Sequence, residues 1–158
     1  MFRGSIETKD KIISSLVYLL PFLDVFPIGI PLMKDFPLVT LIYLPFRPLI
    51  NFYHSFPFAG LIIFFALFLG VVRNPNVNYF TAFNTLQAIL LDLVLVLGGF
   101  ALQILMNGLG YQNLLVLTVA NTIFLGTLTA CFYGTIQSAR GLKAELPAIS
   151  NAVSSQIR

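Results

Sequence analysis

The stretch Arg73-Asn74-Pro75-Asn76-Val77-Asn78-Tyr79-Phe80-Thr81-Ala82-Phe83-Asn84-Thr85-Leu86-Gln87-Ala88-Ile89-Leu90-Leu91-Asp92 opens as a basic, Asn/Pro-rich turn. It then becomes a helix that carries Asn84, Gln87 and Asp92 into a long apolar run. The next charged residue is Arg140, so residues 93–139 are 47 uncharged residues in succession. About 20 apolar residues cross a hydrocarbon core. The run is therefore too long for one crossing and supplies the rest of one span plus another. The break between them is Asn107-Gly108-Leu109-Gly110-Tyr111-Gln112-Asn113, a turn composition. Spans are expected at about 83–106 and 114–139.

The whole chain agrees with that reading. Its 158 residues are 58% hydrophobic and 9% charged, with a mean hydropathy of +0.90. A water-soluble fold of this size cannot hide so much apolar surface. The single cysteine, Cys131, excludes an internal disulfide, and the single histidine, His54, leaves metal-site spacing absent. No cofactor is expected. The net charge of +3 resides at helix ends, with no basic stripe interleaved with aromatics, so nucleic-acid binding is not expected. The partner that composition demands is the lipid bilayer.

Upstream, Lys11 and Lys34 bracket a first span at about 12–33. The opening residues hold Glu7 and Asp10, unlike an Arg/Ser-rich transit peptide, and an uncleaved first span is expected. Pro21, Pro27 and Pro31 make its second half irregular, with a kink expected near Pro21. Asp24 follows that kink and reads as a carboxylate near the interface, with a cavity-facing role as the sharper alternative. Residues 34–57 are apolar but interrupted by Pro37, Pro45, Pro48 and Pro57. They read as an interfacial or re-entrant segment with Tyr43, Arg47, Tyr53 and His54 at headgroup level. A second span is expected at about 55–72. The fold class is thus all-α and polytopic, with four transmembrane helices between a short N-terminal segment, 1–11, and a polar tail, 140–158. In that tail Ile149, Val153 and Ile157 recur every four residues. Four spans put both termini on one side, with Arg3, Lys9, Lys11, Arg73, Arg140, Lys143 and Arg158, against Lys34 and Arg47 opposite. The positive-inside rule makes the first side cytoplasmic or its organellar equivalent.

On a helix of 3.6 residues per turn, Asn84, Ala88, Asp92, Gly99 and Gln103 fall within about 100° of arc. Thr118, Thr122, Gly126, Thr129, Tyr133 and Gln137 fall in a similar arc on the last span. The two seams can face each other, either packing helix on helix or lining a path. The candidate path-lining or inter-helix polar residues are Asn84, Gln87, Asp92, Gln103, Thr118, Thr122 and Tyr133. Asp92 stands out, because a charge at a span centre costs about 2.5–3.5 kcal/mol on insertion scales and must turn toward protein or trapped water. A hydrolytic aspartate pair would need a second carboxylate at matched depth, and Asp24, near the proline break, is the one available. No nucleophile, phosphate-cradling or dinucleotide motif is present, so an enzyme is not expected.

These residues resemble the twenty-kilodalton membrane subunit family of the translocon at the inner envelope of chloroplasts (the Tic complex). Four stretches carry the likeness: residues 11–21 with Asp24, the proline-rich 36–58, Val71-Val72-Arg73-Asn74 with Phe83-Asn84, Gln87-Ala88 and Leu91-Asp92, and the tail residues Gly141, Pro147 and Ile149-Ser150. The third is the most specific. Ala82 stands where the family usually has an arginine, so a role for that arginine is not carried over. The resemblance implies a cyanobacterial or plastid-encoded member in the plastid inner envelope or a cyanobacterial cell or thylakoid membrane, with both termini stromal or cytoplasmic. It implies other translocon membrane subunits and a preprotein as partners, and a contribution to a preprotein-conducting path. The alternatives are a structural or assembly module of a membrane complex, or a small-solute or ion carrier. No inverted repeat supports the carrier.

Overall fold

The computed structural model describes residues 5–157, and every regular element among them is helical. The chain is a polytopic all-α membrane protein. Two unbroken helices, Tyr79–Leu109 (α7) and Leu114–Ala139 (α8), are long and apolar enough to cross a membrane, and two bent helix pairs bring the number to four if each pair is one span.

The first bent pair is shaped by prolines. Pro21 has no N–H to give to Val17 O, so Leu20 N–H donates to that oxygen instead, at 3.3 Å. The helix consequently stops at Leu16 (α1, Thr8–Leu16) and resumes at Leu19 (α2, Leu19–Asp24) without losing its direction. The sharp bend, 67°, comes at Val25, between Thr8–Asp24 and Phe26–Asp35 (α3). The expected kink near Pro21 is therefore displaced, because Pro27 in the first turn of α3 cannot donate back to Leu23 O.

That bend leaves carbonyls at the end of α2 in need of donors. The proline-rich segment supplies them. Its pieces Pro37–Tyr43 (α4), a 3-10 turn Leu44–Phe46 and Arg47–Ser55 (α5) stay helical because each begins with proline in its first turn, where proline is tolerated. Tyr43 Oη–H donates to Phe22 O at 3.1 Å, and His54 Nε2–H to Leu23 O at 3.1 Å. Tyr53 Oη–H donates to Asp24 Oδ1 at 2.7 Å. Both tyrosines are buried against the broken helix, whereas His54 stays exposed while its ring reaches Leu23 O.

The chain then turns by 98° into Ala59–Leu67 (α6), which continues as a π-helical turn, Phe68–Val72. Phe58 takes the corner in the left-handed region, φ +66°. α7 starts at Tyr79, above the expected residue 83, because Asn78 caps it by accepting from Thr81 N–H at 2.9 Å. Asn113 caps α8 in the same way through Leu115 N–H. After α8 a strap turns at Gly141, φ +77°, and leads to a last helix, Ile149–Gln156 (α9).

Close approaches lock the bundle. Gly134 of α8 lies against the Tyr18 ring and Gly29 of α3 against Phe124, so a side chain at either glycine would collide with an aromatic. Phe22 stacks on Tyr43 with ring centroids 4.4 Å apart. Residues 80–89 of α7 are buried on every side, whereas Leu93, Val94, Leu97, Phe100 and Ile104 face outward, as a lipid-facing surface does.

Candidate functional site

The candidate residues separate into three groups. The first lies where α7 begins. Asn84 and Gln87, both fully buried, meet the Tyr18 hydroxyl. Tyr18 Oη–H donates to Asn84 Oδ1 at 3.1 Å, and Gln87 Nε2–H donates to Tyr18 Oη at 3.0 Å. The same two amides grip the strap after α8. Gln87 Nε2–H donates to Ala144 O, Leu146 N–H donates to Gln87 Oε1 at 3.4 Å, and Ala144 N–H donates to Asn84 Oδ1 at 3.4 Å. These bonds satisfy buried backbone groups that form no regular structure of their own. Asn84 and Gln87 are inter-helix residues that fasten a loop.

The second group lies near the middle of the 31-residue α7. Asp92 is 5% exposed. Its neighbour on the wall of one cavity is Asp24. Of the two expectations for Asp24, an interface or a cavity, the cavity fits: after α2 the chain bends at Val25, and Asp24 lines the same wall as Asp92. Tyr53 steadies Asp24 from the other side, packed on Gly60, where a Cβ would strike its hydroxyl. Asp92 Oδ1 is buried with no hydrogen-bond partner. Both carboxyls line a cavity of about 620 Å³ between α6 and α7, walled by Phe58 and Phe64 on one side and Leu93, Val96 and Phe100 on the other.

The third group faces out. Thr118, Thr122 and Tyr133 are exposed on α8 and do not meet the seam of α7. Thr118 and Thr122 hydroxyls donate to carbonyls of their own helix, Leu114 O and Thr118 O, each at 2.8 Å. Gln137 Nε2–H donates to Tyr133 Oη at 3.4 Å. Gln103 is also exposed, donating to Asn107 Oδ1 at 3.3 Å beside a cavity of about 480 Å³ that Lys34, Asp35 and Gln112 share.

Basic residues gather at the end of the bundle where α7 begins. Lys143 lies over the rings of Tyr79 and Phe83 at 5.3 and 5.2 Å, Arg73 over Phe68 at 6.0 Å, and Lys11 beside Gly141. Lys34 shares its cavity with Gln112, at the opposite end of α7 and α8. Arg3 and Arg158 lie outside the described residues.

The sequence model of the family described as "Chloroplast import apparatus Tic20-like" matches residues 7–153. The chain belongs to the Tic20 family. A "Tic20 family protein" of Synechocystis is 44% identical over 156 residues, covering 99% of this chain and 98% of its own. The Arabidopsis thaliana "Protein TIC 20-v, chloroplastic" is 33% identical over 153 residues, covering 97% of this chain and 73% of its own. A red-algal "Tic20 family protein Ycf60" from Gracilaria tenuistipitata is 36% identical over 160 residues, covering 98% and 78%. Tic20 names denote components of an import apparatus and not an enzyme. Against this Tic20 background, Ala82 is fully buried beneath α9, packed with Phe83, Val153 and Ile157. An arginine there would have to lift α9 off α7.

Proposed function

We propose that this protein is a membrane subunit of a polypeptide import or insertion machinery, and that it contributes one wall of the path. The observation that carries the proposal is the family match along nearly the whole chain. The outward seam of α8 supports it. Thr118, Thr122 and Tyr133 offer polar groups away from the chain's own core, on a surface that other translocon membrane subunits could close. The Thr118 and Thr122 hydroxyls are satisfied within their own helix, so the surface tolerates both lipid and a passing chain. The gathering of Lys11, Arg73 and Lys143 at one end supports termini on the stromal or cytoplasmic side, in a plastid inner envelope or a cyanobacterial membrane.

A second reading, a structural or assembly module, is favoured by one observation. Asn84 and Gln87 are consumed in fastening the strap. Crosslinking separates the two readings. Single cysteines at Thr118, Thr122 and Tyr133 are expected to crosslink to an arrested preprotein, whereas cysteines at Asn84 and Gln87 are not. Failure at all three outward positions, with partner subunits still attached, would leave the assembly reading.

A further inference from the structure

We propose that the cleft between α6 and α7 seats a transmembrane helix of a different subunit, and that a lysine or arginine of that helix enters between Asp24 and Asp92. This inference does not rest on the import reading, because it stands on the placement of Asp24 and Asp92 on the wall of one cleft.

Among the described residues no cation pairs with Asp24 or Asp92, and the Tyr53 hydroxyl donates to Asp24 alone. Asp92 Oδ1 is buried with no hydrogen-bond partner, and its neighbour is another carboxyl. Two carboxyls side by side away from water do not readily both ionise. The ion pair among the described residues is Lys9–Glu7, at the surface. His54, the nearest basic residue in sequence to Tyr53, is turned to Leu23 O. A positive group from outside is what would let both carboxyls ionise.

The walls say which cation fits. Apart from the carboxyls the cavity is lined by apolar residues such as Phe64, Val96 and Phe100. A bare metal ion needs about six or more oxygen ligands, and no group of three or more metal-ligating side chains occurs among the described residues. A lysine or arginine has an apolar stem for such walls and a charged head for their base. The space also suits a helix. α6 and the second half of α7 diverge from the π-helical turn that joins them, and about 620 Å³ lies open between them. The gap stands level with the middle of α7, so it receives a membrane span and not a headgroup amine. A second copy of this chain is a poor occupant, because neither of its unbroken spans, Tyr79–Leu109 and Leu114–Ala139, carries a lysine or arginine.

The experiment uses the full chain in nanodiscs and a fluorescent Leu/Ala transmembrane peptide bearing one central lysine, with a norleucine peptide as its uncharged twin. The lysine peptide is expected to bind about tenfold or more tighter, a preference of about 1.4 kcal/mol or more. Asp24→Asn and Asp92→Asn should each erase that preference while the norleucine peptide binds as before. Because the peptides differ and the protein does not, the first comparison stands even if a variant folds poorly. Equal binding of the two peptides overturns the proposal, as does a lysine preference that survives in the doubly substituted chain. Equal binding together with stabilisation of the chain by sodium ions would also overturn it and assign the pair to a small cation.

Discussion

Two buried polar regions of the same helix are built on opposite principles. At the start of α7, Asn84 and Gln87 have partners for both ends of their amides, in Tyr18, Ala144, Leu146 and Phe80. Eight to five residues further on, Asp92 meets a second carboxyl and keeps an oxygen without a partner. A satisfied network holds one structure together and asks for nothing more. An unsatisfied acid in the middle of a membrane helix is a vacancy that a second molecule can fill. The amides of Asn84 and Gln87 thus fasten the strap, although Thr85 Oγ1 between them has no partner, and the Asp92 cleft is the place proposed for assembly.

The strongest way to break that distinction is Gln87→Leu. It strips a donor from Ala144 O and from Tyr18 and an acceptor from Leu146 N–H, each in a buried place. Each orphaned group costs about 1–3 kcal/mol, so a loss of about 3 kcal/mol is expected in unfolding of the detergent-solubilised protein. The strap should loosen with it, and trypsin should cut faster at Lys143. A variant as stable as the parent would show that the network decorates the fold instead of securing it.

Asp92→Asn should do the reverse. The amide can donate to Asp24 and one of two opposed charges disappears, so the isolated chain should gain about 1 kcal/mol in the same unfolding measurement. A loss of similar size would place Asp92 with Asn84 and Gln87, as a residue the fold requires. The contrast in sign is the sharpest test that the two regions differ in kind.

How much of this could be read from residues follows the same line. The 47 uncharged residues after Asp92 and the Asn/Gly break at 107–113 announce two long helices, and α7 and α8 follow from apolar length and the Asn78 and Asn113 caps. Asp24 was legible as the one carboxylate that could join Asp92, but whether the two share a cavity was not, because that depends on where a helix bends. Pro21 and Pro27 both signal irregularity, but the 67° turn falls at Val25 and decides whether Asp24 faces a headgroup or a neighbour. The inward turn of Tyr43 and the reach of His54 to Leu23 O were hidden for a related reason. An aromatic-belt pattern does not reveal that Phe22 O and Leu23 O, at the end of α2, will need donors.

The polar arc on α8 misleads in another way, and it yields the smallest effect. Thr118, Thr122 and Tyr133 share one face, which reads as a face that seeks partners. A threonine in a helix, however, can give its hydroxyl to the carbonyl four residues back, and Thr122 does so with Thr118 O at 2.8 Å. Its polarity is spent within its own turn, so periodicity says nothing about which way it points. Thr122→Val keeps the shape, removes a bond that is locally redundant and should change unfolding by no more than about 0.5 kcal/mol, the usual range for an exposed site. If it instead costs more than about 1 kcal/mol, beyond that surface range, the hydroxyl is engaged by something buried. The outward seam would then belong with the clamp of Asn84 and Gln87, and the wall proposed for a passing polypeptide would have to be sought on another face.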